Sequence, residues 1–584
     1  MSRKGNAQAQ TSQVKYLKTE RVFVWRTVIF CLLALNFCFS SAYGSRVRAR
    51  RGMVVSANEL ASHVGVEVMK KGGNAVDAAV ATGFALAVLY PQAGNLGGGG
   101  FMLIRFPDEK ATSIDFREKA PAGAHRDMYL DEKKEVVPGL STLGYLASGV
   151  PGSVAGLCYA LDKYGTMSLK EVIAPAINLA RQGLTVSYEL SQELSQASQE
   201  LSSFPATAKI FLKDGKPYQM GDLLVQKDLA ATLELIFEKG PEAFYKGKIA
   251  DLIAEDMKRN GGLITREDLA NYRPVEREPV YGTYRSYEII SMGPPSSGGI
   301  ALIQLLNILE AYDISASGHS SSRTIHLIAE AAKRVYADRA QHLGDSDFHP
   351  VPVSGLTSKQ YAAELRKGIE PLWATPSSQI SHGNPLPYES HETTHYSVVD
   401  KNRMAVCVTI TLNSSFGSKV VIDGTGFLMN NEMDDFSMKP GVPNIYGLVG
   451  AEANAIEPGK RMLSSMSPTI VSRDGELFLV IGTPGGSTII TTVLQVIMNA
   501  VDHGMDIEKA IDATRIHHQW LPDTLYIERS GLPADVLENL ERMGHNLKRK
   551  KGYNGNAQGI MFDPETGILC GASDHRGEGK AVGY

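Results

Sequence analysis

Apolar and polar positions along the chain switch between a helical and a strand period, and the switches fall at capping and turn residues. Ser56-Ala57-Asn58-Glu59 is a capping-box pattern that predicts a helix running to about Lys71 and stopping at Gly72-Gly73. Asn74 then caps Ala75 to Leu89, an almost wholly apolar segment that is short and carries Asp77, as a buried core helix does. Strands are expected at Phe101 to Phe106 and Ala111 to Phe116. From Val150 to about Asn271 the pattern is mostly helical, and Tyr281 to Ser291 reads as a strand. The turn Gly293-Pro294-Pro295-Ser296-Ser297-Gly298-Gly299 leads into a helix over Ile300 to Ala311, and a longer helix spans Ser322 to about His342 with an arginine-rich face that reads as solvated.

The second half is richer in strands. Thr394 to Asp400 alternates, Lys401-Asn402-Arg403 turns, and Met404 to Asn413 returns as a β-rich segment. A hairpin is expected from Thr469 to Ser472 and Leu477 to Ile481 around Arg473-Asp474-Gly475, followed by a helix from Thr488 to about Val501. Residues 375–390 form a polar stretch with proline and glycine that reads as a flexible, exposed linker.

The N-terminus departs from this globular pattern. A lysine- and arginine-bearing lead precedes the apolar run from Thr27 to Phe39, and small residues follow at Ser40, Ser41, Ala42 and Gly44. That order is a secretory signal, assigned to residues 1–44, and its apolar run is shorter than the roughly 20 residues that span a bilayer. Export to the periplasm is expected, with secretion or a retained membrane anchor as alternatives; no stable span remains once the signal is removed. Composition changes little: 43% hydrophobic, 21% charged, formal net charge -4 over 584 residues. There is no basic field for nucleic acid. Outside the signal, Cys158, Cys407 and Cys570 are an odd, widely spaced set, neither a disulfide framework nor a zinc pattern.

Candidate chemistry concentrates in a few stretches. Thr393 opens the strand-like run after Glu392, and a threonine there becomes a nucleophile if the chain is cut before it, because its own α-amino group, with a pKa of about 7.7 to 8, can take the hydroxyl proton. Ordinary strand composition is the competing reading. Gly485 and Gly486 sit at a helix N-terminus, where free N–H groups and the dipole suit an oxyanion; a plain strand-to-helix turn is the alternative. Gly97 to Gly100 follow a helix and precede a strand, the wrong order for a phosphate loop, so they read as close backbone packing beneath a site. Arg117 at a strand end can grip a carboxylate, or form a surface ion pair. Glu432 and Asp435 can hold an ammonium, and residues 439–460, with Tyr446 in the middle, form a long loop of the kind used as a lid. His517-His518 lacks the nearby acidic or cysteine partners of a metal site.

Taken together, Thr393-Thr394-His395-Tyr396-Ser397, Leu412-Asn413, the segment Asn430 to Asp435, Pro443-Asn444-Ile445-Tyr446-Gly447, Ser464-Ser465-Met466-Ser467-Pro468 and Pro484-Gly485-Gly486-Ser487 resemble the γ-glutamyltransferase family, with Asp115-Phe116-Arg117-Glu118 and the tetraglycine fitting as well. The resemblance runs from about residue 50 to the end. It implies an α+β fold, the four-layer αββα sandwich of the N-terminal-nucleophile hydrolases, that cuts itself between Glu392 and Thr393 into a large subunit (45–392) and a small subunit (393–584) forming one heterodimeric unit. It implies an acyl-enzyme on Thr393, formed from glutathione or another γ-glutamyl compound and resolved by water or by an amino acid or peptide amine. It further implies that Arg117, Ser464 and Ser465 hold the substrate α-carboxylate, and that Asn413, Glu432 and Asp435 hold its α-ammonium. Gly485 and Gly486 would stabilise the oxyanion, Thr411 would hydrogen-bond the nucleophile, and Tyr446 would be the lid residue. No cofactor and no metal are implied. Acylases acting on glutaryl-type side chains share the scaffold and are the alternative; they have no use for the acidic pair.

Overall fold

The computed structural model describes residues 46–388 and 399–584. The assignments to 1–44 and to Glu392 and Thr393 therefore lie outside the described residues.

Helix Glu59–Lys70 starts where Asn58 accepts the N–H groups of Leu60 and Ala61, and helix Ala75–Leu89 starts at a complete capping box between Asn74 and Asp77. The second helix packs on a four-stranded antiparallel sheet, in the order Ala405–Thr411, Gly99–Arg105, Ala111–Asp115, Val275–Arg277, and the first packs on the second helix and on the strands Met53–Ser56 and Lys580–Gly583. The strand Gly99–Arg105 is buried along its whole length, which explains its unbroken apolar run: one face meets the helices and the other meets a second sheet.

That second sheet has seven strands. Its order is Val47–Ala49, Ile568–Ser573, Gln558–Asp563, Glu476–Gly482, Thr469–Arg473, Tyr287–Ser291, Val280–Tyr284. Alternation divides it between two cores. Val480 and Ile470 face inward with Met102, Ile104 and Val406 of the first sheet, whereas Leu479, Ile481 and Val471 face helices Gly298–Leu309 and Thr488–Val501. The layers are therefore helix, sheet, sheet, helix within one unit from Val47 to Tyr584. The strands on both outer edges of the larger sheet come from before residue 392 and the four central ones from after it. A further pair, Met53–Ser56 with Lys580–Gly583, joins the two parts again.

Three expectations need correction. The strand expected over 281–291 is a hairpin, because Arg285 takes a left-handed conformation (φ 58°) and reverses the chain. The stretch expected to be a free linker is pinned as far as residue 388. Ser377 bonds to Asp523, the Trp520 indole donates to the carbonyls of Ser377 and Ile380, and Gly383 donates to Asp338. The arginine-rich face of helix Ser322–His342 is not solvated: Glu330, Lys333, Arg334, Asp338 and Arg339 are all buried.

Candidate active site

The tetraglycine lets one strand approach another at the floor of the site. A side chain at Gly98 would stand 2.1 Å from the carbonyl oxygen of Thr411, and one at Gly100 would stand 2.2 Å from that of Thr409. This agrees with close packing beneath a site and not with anion binding. Asn95 completes the support by donating to the Thr411 carbonyl at 2.9 Å.

Above this floor lies a cavity of about 490 Å³ that collects Arg117, Thr411, Asn413, Glu432, Asp435, Tyr446, Ser464, Ser465, Gly485 and Gly486. Each site residue named from the sequence that falls within the described residues reaches it. At one end Arg117, fully buried, lies 2.6 Å from Glu432 and 2.6 Å from Asp435, with Glu118 at 3.5 Å. Burial opposes the Arg117 charge, but the surrounding Glu432, Glu118 and Asp435 hold its pKa above the ordinary value. Burial pushes Glu432 and Asp435 up in turn, opposed by Arg117, and pushes Glu118 up to about 7. Three carboxyls surround one guanidinium, and neither Glu432 oxygen has an aligned hydrogen bond within the described residues. The cluster therefore holds more carboxyl than cation, an imbalance that a second cation would offset.

The local backbone is fixed by side chains that the sequence reading passed over. The Asn430 amide donates to the carbonyls of Gly97 and Gly149 and accepts from the N–H groups of Gly149 and Glu432, which sets the short turn Glu432–Asp435. Asn413 adopts φ 75° and donates its amide to the Asn431 carbonyl at 3.0 Å, leaving its oxygen uncommitted. The backbone N–H of Asn413 donates to Thr411 Oγ at 2.7 Å, and the Thr411 hydroxyl faces Glu432 within hydrogen-bonding reach.

At the other end, Gly485 (φ 143°) and Gly486 (φ 57°) form the turn before helix Thr488–Val501. Their carbonyls accept the N–H groups of Thr488 and Ile489, while their own N–H groups have no acceptor within the described residues. A side chain at Gly486 would lie 2.5 Å from the Tyr446 ring. Tyr446 closes the cavity by donating its hydroxyl to the Asn413 carbonyl at 2.6 Å.

The loop carrying Tyr446 is tied down at several points. Asp434 accepts the Ile445 N–H at 2.9 Å, Asn444 donates to Asp435 at 3.1 Å, and the Gln519 amide donates to the Tyr446 carbonyl at 3.1 Å. Gln519 is held in turn by His517 at 2.9 Å, whose other ring nitrogen meets Thr491 at 2.8 Å. Burial pushes His517 down to about 3, so it is a neutral strut of this loop. The Gln519 role was hidden because its partner lies 73 residues away.

Comparison with known proteins agrees with this arrangement. The family model for gamma-glutamyltranspeptidase matches residues 61–584. The chain is 52% identical over 570 residues to a glutathione hydrolase proenzyme of Escherichia coli (strain K12), covering 95% of this chain and 98% of that protein. Among solved structures, it resembles cephalosporin acylase from Bacillus halodurans (TM-score 0.83, 28% identity, 93% of this chain and 97% of that one). It also resembles gamma-glutamyltranspeptidase from Helicobacter pylori (TM-score 0.56, 51% identity, 57% of this chain and 95% of that one). A match to the family model across nearly the whole described chain, on an αββα scaffold with the family's motifs gathered around one cavity, makes this protein a member of the gamma-glutamyltranspeptidase family.

Proposed function

We propose that the chain is a proenzyme that cuts itself before Thr393 and then hydrolyses glutathione and transfers γ-glutamyl groups. The observation that carries this reading is the cavity itself: an acid-rich end that suits an ammonium, two serine hydroxyls beside it, and two uncommitted N–H groups at the opposite end. An acylase for glutaryl-type side chains would bring no ammonium to set against three carboxyls that share the one cation Arg117.

Thr411, at the end of strand Ala405–Thr411, lines the cavity, and its hydroxyl is the group assigned to hydrogen-bond the Thr393 nucleophile.

In the reaction the freed α-amino group of Thr393 takes the proton from its own hydroxyl, and Oγ attacks the γ-carbonyl carbon of the donor. The Gly485 and Gly486 N–H groups stabilise the oxyanion, a contribution of about 2.7 to 4 kcal/mol per donor. Collapse returns the proton to the departing amine and leaves a γ-glutamyl ester. Water then releases glutamate, or an acceptor amine takes the acyl group. Arg117, Ser464 and Ser465 hold the α-carboxylate, while Asn413, Glu432 and Asp435 hold the α-ammonium. The N-terminal segment supports export; among the described residues no helix is long and apolar enough to cross a membrane.

Denaturing electrophoresis should show two fragments, the smaller beginning at Thr393, and the protein should release the chromophore of a γ-glutamyl anilide. Thr393→Ala should give an uncut, inactive chain. One intact band without activity from the unaltered protein overturns the reading, and a correctly cut protein inert toward the anilide favours the acylase.

A further inference from the structure

Helix Ser322–His342 carries a cation into the wall behind the two serines. Arg339 is buried, and among the described residues no carboxylate lies within ion-pair distance of it; Asp435 acts on it only at longer range. Its guanidinium is instead committed to hydroxyls. Nε donates to Ser297 Oγ at 2.9 Å and Nη2 donates to Ser465 Oγ at 3.1 Å. Ser297 passes the constraint on, because its hydroxyl and its N–H donate to the Ser464 carbonyl at 2.6 and 2.8 Å.

The hydrogen accounting has a direct consequence. Ser465 Oγ accepts from Arg339, and Ser464 Oγ accepts from the Met466 N–H at 3.1 Å. Each hydroxyl therefore keeps its own proton to donate, and both serines line the cavity. A buried guanidinium without a counter-ion is unfavourable until an anion approaches. Arg117 does not supply that need by itself, since its charge is already shared among Glu118, Glu432 and Asp435. The cavity end is thus negative on the Glu432 side and positive on the serine side.

We infer that Arg339 is a positioning residue for the donor α-carboxylate: it orients Ser465 directly and Ser464 through Ser297, and it supplies the countercharge behind them. This rests on the γ-glutamyl reading of the same site. The amino-acid end of the donor is then read by two separate cations, one of which does not touch it.

The test compares a γ-glutamyl anilide with the same anilide bearing a carboxamide in place of the α-carboxylate. Arg339→Gln should raise KM for the carboxylate donor about tenfold or more with a smaller change in kcat, and should change kcat/KM for the carboxamide donor by less than about threefold. Arg339→Lys should recover part of the loss. Ser297→Ala, which removes one link and keeps the charge, should show a smaller loss with the same donor dependence, and it decides the matter if Arg339→Gln does not fold. Equal losses on both donors, or no loss on either, overturn the inference. If the unaltered protein fails to release the γ-glutamyl anilide, the functional reading itself fails, which is a different result from an active protein with donor-independent losses.

Discussion

The two ends of the cavity are built from different materials. The end around Arg117 is made of side-chain charge, four ionisable groups buried against one another, and its geometry depends on all of them. At the end formed by Gly485 and Gly486 the donors are uncharged; they are backbone N–H groups placed by a helix start and by the absence of side chains. In the proposed reaction, charge at the first end selects what enters, and fixed dipoles at the second act on charge that forms only during turnover. Damage at the charged end should therefore impair folding and binding together, whereas damage at the glycine end should impair turnover more than the fold.

The strongest test of that contrast is Arg117→Gln. It leaves three buried carboxyls without their cation and should lower stability by about 3 to 5 kcal/mol, read by denaturant unfolding, as well as abolish most γ-glutamyl anilide hydrolysis. Gly486→Ala should be the opposite case. The added methyl meets Tyr446 and a φ of 57°, so stability should fall by about 1 to 3 kcal/mol, less than for Arg117→Gln, while kcat falls by about 10² to 10³. A stable, inactive Arg117→Gln protein, or a Gly486→Ala protein that is mainly unfolded, would break the comparison.

A smaller effect sharpens it through pH. Asp434 accepts from Ile445 and from Ser141, yet burial pushes its pKa up to about 6 from 3.8. The folded state thus holds this proton more tightly than the unfolded state. The stabilising contribution is complete below about 3.8 and is lost as pH rises through about 6. Relative to Asp434→Asn, the unaltered protein should lose up to about 3 kcal/mol between pH 4 and 7 and then change no further. Melting temperatures of the two proteins across that range should diverge on the alkaline side; parallel curves would count against it. Gly486→Ala should show no such dependence relative to the parent.

Helices Ala75–Leu89 and Ser322–His342 show what the sequence could reveal. The first is apolar throughout, and its burial was evident from composition. The second is as deeply placed, yet its charges read as solvated because the pairing of Lys333 and Arg334 with Glu330 looks the same on an exposed helix face, and their other partners are distant in sequence. Lys333 bonds to Thr375, Arg334 donates to Gly368, and Arg339 reaches Ser297 and Ser465. Capping residues and alternation are local signals, so the helix starts and most strands were legible. The hairpin at Arg285 was not, because a left-handed arginine carries no turn signature like that of glycine or asparagine. The site residues were legible as motifs through the family resemblance, and the structure brings those it describes around one cavity. Asn430, Ser297, Gln519 and Arg339 were missed because each works by holding another residue, and nothing local marks such a role.

The interleaving of strands in the larger sheet reaches beyond architecture. If the chain is cut before Thr393 as proposed, the two pieces still share the seven-stranded sheet and the pair Met53–Ser56 with Lys580–Gly583. Parting them would break the ladders at Val47–Ala49 and Tyr287–Ser291 and expose both cores, which amounts to unfolding. Such a heterodimer parts only by unfolding, so its lifetime is set by the unfolding barrier. Its specific activity should be unchanged by dilution, and a subunit once lost to the solvent would have no folded partner waiting to take it back.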